Sequence, residues 1–404
     1  HLRRVLAQNP ALPQGVAGAE GGTRWFAPAD MQPLRAHFAQ SARKSRYLPP
    51  RPVGAQAAVV AMTGPQGGTG RTTALLHLAT AAALAGYRVL VVDADPGGQL
   101  AASLGAAPVA GSSGGSAGVL SLLAQGAGQH LRGVNQSRLD RGEEPLAIED
   151  AMAEALTGAL NLSPGALVEP SRWPGLDVVS ARPAMMLGDL QITNWRMALR
   201  GWRPWRAMAA SIEAAGWRQS YDLILCDTGR GLGPLALSVL ASADVLMMPV
   251  PLHEADAVSG AVTAMSQGLA VLADAMASLD QEAQRNARAR GQAAQPFHWR
   301  RVLALPTRVQ GASQAALAGL AARLAGGNPL PSPFLLPNPL PEVPQLAAAG
   351  VGQVYDLDYR DVGRLAYAPL RDATEAAWQG LSEVLITLWA EDAAARAPQA
   401  SLSL

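Results

Sequence analysis

The chain of 404 residues contains one lysine, Lys44, and one cysteine, Cys226. A single cysteine, set in an apolar run, excludes intramolecular disulfides and fits a reducing cytoplasm. With one lysine, nearly all positive charge is arginine, a chain-wide drift that bears on every site where lysine is the usual residue. Net charge is missing too: Lys+Arg number 32 against 31 Asp+Glu, a formal +1. That excludes whole-molecule attraction to nucleic acid or acidic membranes and leaves such binding to local clusters. No uninterrupted apolar stretch reaches the roughly twenty residues of a membrane span, so none is expected. The most apolar region, Leu235 to Leu252, is broken by Asp244, Pro249 and Pro251. No internal repeat is found. The histidines, His253 included, lack metal-ligand spacing to a cysteine or acidic partner, so no transition-metal site is expected. The first residue is His1 rather than methionine, and nothing about targeting is read from it.

What is present is 49% apolar and only 16% charged, the composition of a globular chain long enough for one large domain and a small one. Residues 1–52 form the small unit. Asp30, or Pro28 before it, opens a helix whose Met31, Leu34 and Phe38 recur at helical spacing, followed by a basic, proline-rich linker. Residues 53–404 form the large one. AAVVAM, YRVLVVDAD, LDVVS, YDLILCD, ADVLMMPV and RRVLALP read as strands separated by helix-like stretches. Continuous apolar strands alternating with helices predict an α/β fold, a mostly parallel doubly wound sheet with ligands at the carboxyl ends of its strands. Three stretches fit this rhythm poorly: the flexible AAPVAGSSGGSAG, the acidic DRGEEPLAIEDAMAEALTG, and the proline-rich segment from Gly326 to Pro344.

Strand, glycine-rich turn and helix meet in VVAMTGPQGGTGRTTALLHLA. Gly67, Gly68 and Gly70 let backbone N–H groups converge on an anion, the helix adds its positive end, and Thr72 stands where a hydroxyl coordinates Mg²⁺. An ordinary βα turn is the alternative reading.

This stretch resembles the deviant phosphate loop of the ParA/MinD ATPases, a SIMIBI-type P-loop fold. In that pattern a signature lysine falls on Gln66, the phosphate-loop lysine on Arg71, and two hydroxyl residues on Thr72 and Thr73, around Gly67, Gly68, Thr69 and Gly70. VLVVDADPGG is similar to the family's next motif, with Asp93, Asp95 and Pro96 kept and Gly97 in place of glutamine. YDLILCDTGRG resembles the third, with Asp227 kept and two prolines replaced by Gly229 and Arg230. The N-terminal region, the Thr-Arg pair ending at Arg308, the base loop with Pro337 and Asn338, and Tyr355-Asp356 resemble plasmid partition ATPases of the alphaproteobacterial RepA type. The resemblance implies ATP or ADP with Mg²⁺, a homodimer, DNA, a centromere-binding ParB-like partner, and a cytoplasmic, nucleoid-associated protein that binds no membrane. It also implies that Asp93 and Asp227 organise Mg²⁺ and that Asp95 orients the attacking water. The alternative for these aspartates is helix capping.

Both lysines are replaced. A planar guanidinium at Arg71 cannot take an ammonium's place without shifting the phosphates, and Gln66 offers the partner's nucleotide no charge. Binding is expected to survive better than catalysis. The leading expectation is a partition protein with weak or lost hydrolysis. Its rival is a pseudo-ATPase scaffold or regulator of the same fold, including the cellulose-secretion accessory type.

Arg24, Arg35, Arg43, Lys44 and Arg46, near Trp25, form the candidate DNA-binding cluster, which the resemblance places in a helix-turn-helix-like module. The alternative is a solvated basic arm for dimer contacts. NWRMALRGWRPWRAM interleaves three tryptophans with arginines and reads as a core edge or partner interface rather than a nucleic-acid surface. The Arg285 to Arg301 cluster reads as an exposed helix end and loop, and Arg308 as a contact to DNA or to the nucleotide base.

Overall fold

Strand segments such as AVVAM, VLVVD and LILCD are apolar on nearly every residue, so both faces must be covered. The computed structural model describes residues 2–17, 24–41, 47–106, 118–229, 231–289, 299–309, 314–326, 334–342 and 364–396. Near the N-terminus β1 (Val16–Ala17) and β2 (Arg24–Trp25) pair as an antiparallel ribbon. One sheet then gathers β3 (Ala58–Met62), β4 (Val89–Asp93), β5 (Glu169–Pro170), β6 (Leu176–Val179), β7 (Leu223–Asp227), β8 (Val245–Pro251), β9 (Arg301–Thr307) and β10 (Phe334–Leu335). Its order is β10-β9-β8-β3-β7-β4-β6-β5, parallel throughout except for the edge pair β5 and β6.

Side-chain alternation divides the interior into two layers. Val59 and Ala61, Leu90 and Val92, and Ile224 and Cys226 face one side, where the helices Val119–Leu139, Pro204–Ala214 and Pro234–Ser242 pack. Val60 and Met62, Val89 and Val91, and Leu223 and Leu225 face the other, beneath the helices Arg71–Leu84 and Arg364–Arg396. Trp378 and Trp389 seal the second layer on Tyr87, and the Trp389 indole donates to Gln56 O at 3.1 Å. Burial pushes the Cys226 thiol up to about 12, which leaves it an inert core residue.

Register sets the site. Met62 and Asp93 both lie opposite Asp227, so β3, β4 and β7 end level. From β3 the chain passes over β7 to reach β4, and from β7 it returns to β8 on the far side of β3. The carboxyl ends of these strands therefore border one crevice, the usual place for a ligand in an open parallel sheet.

The N-terminal segment is fastened at the opposite end of the sheet. Arg51 donates to the carbonyls of Ala55, Tyr221 and Arg218, and pairs with Asp222 at 3.0 Å. Asp222 also accepts from the backbone N–H of Arg88 at 2.8 Å and is paired with its guanidinium. Removing the carboxylate leaves the enclosed Arg51 cation without its counter-charge. Asp222→Ala is expected to lower stability by about 3 kcal/mol, read as a shifted urea midpoint at unchanged slope; a midpoint within error of wild type contradicts this role.

One helical run, Ala255–Gln281, is long and apolar enough, by length and composition, to cross a membrane, and only 17% of its apolar window is buried. In sequence the run is interrupted by Asp256, Asp274 and Asp280, so it contains no unbroken apolar stretch of that length. A π-helical turn, Ala264–Gly268, lies within it. The acidic segment from 140 is a loop followed by the helix Asp150–Leu160, and the flexible AAPVAGSSGGSAG lies almost wholly outside the described residues.

Candidate nucleotide site

The loop between β3 and the helix Arg71–Leu84 turns through Gly68 (φ 75°) and Gly70 (φ 85°), both left-handed. L side chains rarely adopt that conformation, so the glycines are what let the chain fold back into the helix. Arg71 is buried and spans the loop, its Nη1 donating to Gly64 O at 3.3 Å. Gln66, Gly67 and Gly68 are exposed. The Gln66 amide lies against Gly260 of the helix Ala255–Thr263. Thr73 is exposed at the first turn of the helix that follows the loop.

Three carboxylates approach the loop from neighbouring strands. Asp227 accepts from the Thr72 hydroxyl at 2.7 Å and from Gly229 N–H at 3.4 Å. Asp93 accepts from the backbone N–H of Ala101 at 2.9 Å and of Asp95 at 3.3 Å. Burial pushes the Asp93 carboxyl up to about 7, the backbone donors opposing and the nearby Asp227 adding to the rise. Burial raises Asp227 as well, against the stabilising pull of Thr72, Gly229 and the Arg71 charge. Asp95 caps its own turn, its Oδ1 accepting from Gly97 N–H at 3.0 Å. A Cβ at Gly229 would stand 3.1 Å from Asp95 Cα and 3.2 Å from Cγ. Gly229 is also left-handed, φ 66°, so a proline, fixed near −65°, cannot replace it in this backbone. Arg230 lies outside the described residues.

These residues fit a magnesium nucleotide. The Thr69 hydroxyl, on a residue only 4% exposed, has no hydrogen-bond partner among the described residues, and a buried orphan of this kind calls for one. Among the described residues no three His, Cys, Asp or Glu side chains converge as a complete metal cage. Two carboxylates and a hydroxyl suit Mg²⁺ all the same, because that ion completes its shell with phosphate oxygens and water.

The outer wall comes from β9 and β10. Arg308 follows Thr307 with φ 53°, the one non-glycine residue with positive φ among those described. Its guanidinium lies 3.7 Å from Glu254 and 3.6 Å from Glu342. Pro337 is exposed, and Asn338 donates to Ala376 O of the C-terminal helix at 3.1 Å. The phosphate loop, Asp93, Asp95, Asp227 and the β9 end are thus brought together, with the base loop stitched alongside.

Of the N-terminal basic cluster, Arg24 donates to Gln14 O at 2.5 Å. Arg35 donates to Leu84 O at 2.7 Å and to Tyr47 O, where desolvation lowers its pKa. Arg43, Lys44 and Arg46 lie outside the described residues, as do Tyr355 and Asp356. In the tryptophan-rich segment Trp195, Trp202 and Trp205 are all buried. Trp205 donates to Asp280 at 2.9 Å, Arg206 pairs with the same carboxylate, and Arg196 stacks over the Trp205 ring. Arg300 and Arg301 pair with Glu391 of the C-terminal helix.

A level row of parallel strands, a glycine loop opening a helix, and strand-end carboxylates at that loop define a P-loop nucleotide-binding protein. Residues 60–350 match the CobQ/CobB/MinD/ParA nucleotide binding domain, and the chain belongs to that family. It is 38% identical over 109 residues to a protein of Rhizobium rhizogenes described as a replication protein A, a match that covers 27% of this chain and 26% of that one. A protein of the same description from Sinorhizobium fredii is 23% identical over 378 residues, 92% of this chain and 79% of that one. The chromosome partitioning protein ParA of Caulobacter vibrioides is 26% identical over 48% of this chain and 55% of its own. The solved structure of a partition protein shares the fold, with a TM-score of 0.52 and 16% identity over 95% of this chain and 88% of that one.

Proposed function

We propose that the chain is a ParA-type DNA partition protein, a nucleotide-dependent homodimer that binds DNA and hydrolyses ATP weakly or not at all. The observation that carries this reading is the split character of the site. Several features suited to gripping a phosphate and its metal are present: the left-handed Gly68 and Gly70, the unpaired Thr69 hydroxyl, and Thr72 on Asp227 beside Asp93. What stabilises developing charge is altered at both lysine positions, Gln66 and Arg71. Relatives described as partition and replication proteins support the cargo as DNA. On this reading residues 1–52, with Arg24, Arg35, Arg43, Lys44 and Arg46, are a DNA-binding module on the 53–404 nucleotide domain. A ParB-like protein stimulates release, and the site of action is the nucleoid in the cytoplasm.

When bound, Mg²⁺ neutralises phosphate charge. Thr72, Asp93 and Asp227 would hold it, Gly67 to Thr73 would hold the phosphates, and Arg308, Pro337 and Asn338 would flank the base. Asp95 and Gln66 are the candidate catalytic groups.

A second reading, a non-hydrolysing scaffold, is favoured by the Gly229 contact, which packs the β7 loop on Asp95. Calorimetry with ATP and ADP, light scattering for dimerisation, and DNA co-sedimentation test both. The partition reading expects micromolar nucleotide binding, an ATP-dependent dimer and ATP-dependent sedimentation with DNA. A dimer indifferent to nucleotide, with no DNA retained, rejects it in favour of the scaffold.

A further inference from the structure

The hydroxyl of Thr307 donates to the carbonyl of Thr69 at 2.9 Å. Thr307 is 3% exposed and Thr69 4%, so the bond is shielded from bulk water and its loss is not simply made good by solvent. The two residues lie 238 positions apart, on β9 and in the phosphate loop. The Thr307 methine carbon is also the nearest atom to where a Cβ on Gly70 would project, at 3.9 Å. Thr307 therefore touches the loop at the peptide that joins Thr69 to Gly70, the last link before the helix.

Its own position is fixed from every side. Thr307 pairs with Pro251 across the β8 and β9 register, and its carbonyl accepts from Leu252 N–H at 3.1 Å. One residue earlier, Pro306 O accepts from Leu340 N–H at 2.9 Å, tying the base loop to the same strand. One residue later, the chain turns through the left-handed Arg308, caught between Glu254 and Glu342. A bulky residue in that conformation persists only where its surroundings over-determine it.

We propose that Thr307 is a positioning residue for the phosphate loop. Its hydroxyl fixes the plane of the Thr69–Gly70 peptide. The N–H of Gly70, and with it those that open the helix, then faces the anion before one arrives. A carbonyl held from outside cannot rotate inward, where it would oppose a phosphate. β9 thereby braces both walls of the site, since the strand that orients the loop is also bonded to the base loop that follows β10. This inference deepens the nucleotide reading above and rests on it.

Thr307→Val keeps the shape and removes the donor; Thr307→Ser keeps the donor. Calorimetry with Mg-ATP and Mg-ADP is expected to show about a tenfold loss of affinity in Thr307→Val, the effect of one buried hydrogen bond. Thr307→Ser is expected to stay within about twofold of wild type. Hydrogen exchange of the amides of residues 67–72, measured without nucleotide, is expected to speed up in the valine variant alone. Thr307→Ala replaces it if valine prevents folding. Unchanged affinity and unchanged loop exchange in Thr307→Val overturn the proposal, as does a serine variant as impaired as the valine one. Should wild type bind neither nucleotide, the nucleotide reading fails, and the exchange measurement still decides the role of Thr307.

Discussion

The double variant Gln66→Lys, Arg71→Lys is expected to release phosphate from ATP about a hundredfold faster than the wild-type chain. Gln66 removes a charge of the kind worth roughly 10²-fold or more in rate where such contacts have been deleted, whereas Arg71 keeps its charge and changes only where that charge sits. Steric room favours the result. Gln66 is exposed, so a lysine there can reach outward without repacking. Arg71 is buried but its stem runs past Gly64, which has no side chain, and lysine is the smaller occupant. The single variants separate the two effects. Arg71→Lys acts within one chain, so its gain is expected at any protein concentration. Gln66→Lys is expected to act only where the dimer forms, and its gain should vanish on dilution. Steady-state phosphate release across protein concentrations measures both. No gain in the double variant, with nucleotide still bound, would leave the slow step elsewhere, and the contact of Gly229 with Asp95 is where the structure points next.

The strands were legible because their signal is intrinsic. Runs such as VLVVD can be satisfied only between two layers, and each one appears in the sheet within a residue or two of where the sequence puts it. β5 and β10 were not legible, since strands of two residues at a sheet edge have neither length nor periodicity to betray them. Asp93, Asp227 and the glycine loop could be read because each sits at the end of a strand, where the fold class itself places ligands. Thr307 could not. A threonine at the end of a strand is ordinary, and its meaning comes from a bond to a carbonyl 238 residues away. Gly229 left a partial signal, a glycine where the resembling family has proline, but only the left-handed backbone against Asp95 shows what that exchange permits. Arg35 has a partner that composition does not reveal. Besides its place in a basic stretch, the fold gives it the Leu84 carbonyl at the end of the helix Arg71–Leu84, an acceptor that a helix end leaves open.

Asp93→Asn is expected to make the nucleotide-free protein more stable at pH 8 while removing its response to magnesium. The carboxyl is fully buried, and its pKa rises from 3.8 to about 7 on folding. Below about 4 both folded and unfolded chains hold the proton, and the contribution to stability is present in full. Between about 4 and 7 the unfolded chain releases it first, and the contribution falls until the folded carboxyl ionises too. A tenfold difference in proton affinity between the two states corresponds to about 1.4 kcal/mol. The neighbouring Asp227 shares the effect, so about 2 kcal/mol is the gain expected for asparagine at pH 8. Asparagine stays neutral and keeps an oxygen for the Ala101 N–H, so the difference between variant and wild type should widen from pH 5 to pH 8. Magnesium with ADP should reverse the order, because a cation stabilises the ionised carboxylate and finds nothing to bind in the amide. Urea denaturation at pH 5 and pH 8, with and without Mg-ADP, measures all four cases. If asparagine is the more damaging change at pH 8 than at pH 5 in the free protein, Asp93 is stabilising as an anion on its own, and the site is not one that waits for a metal.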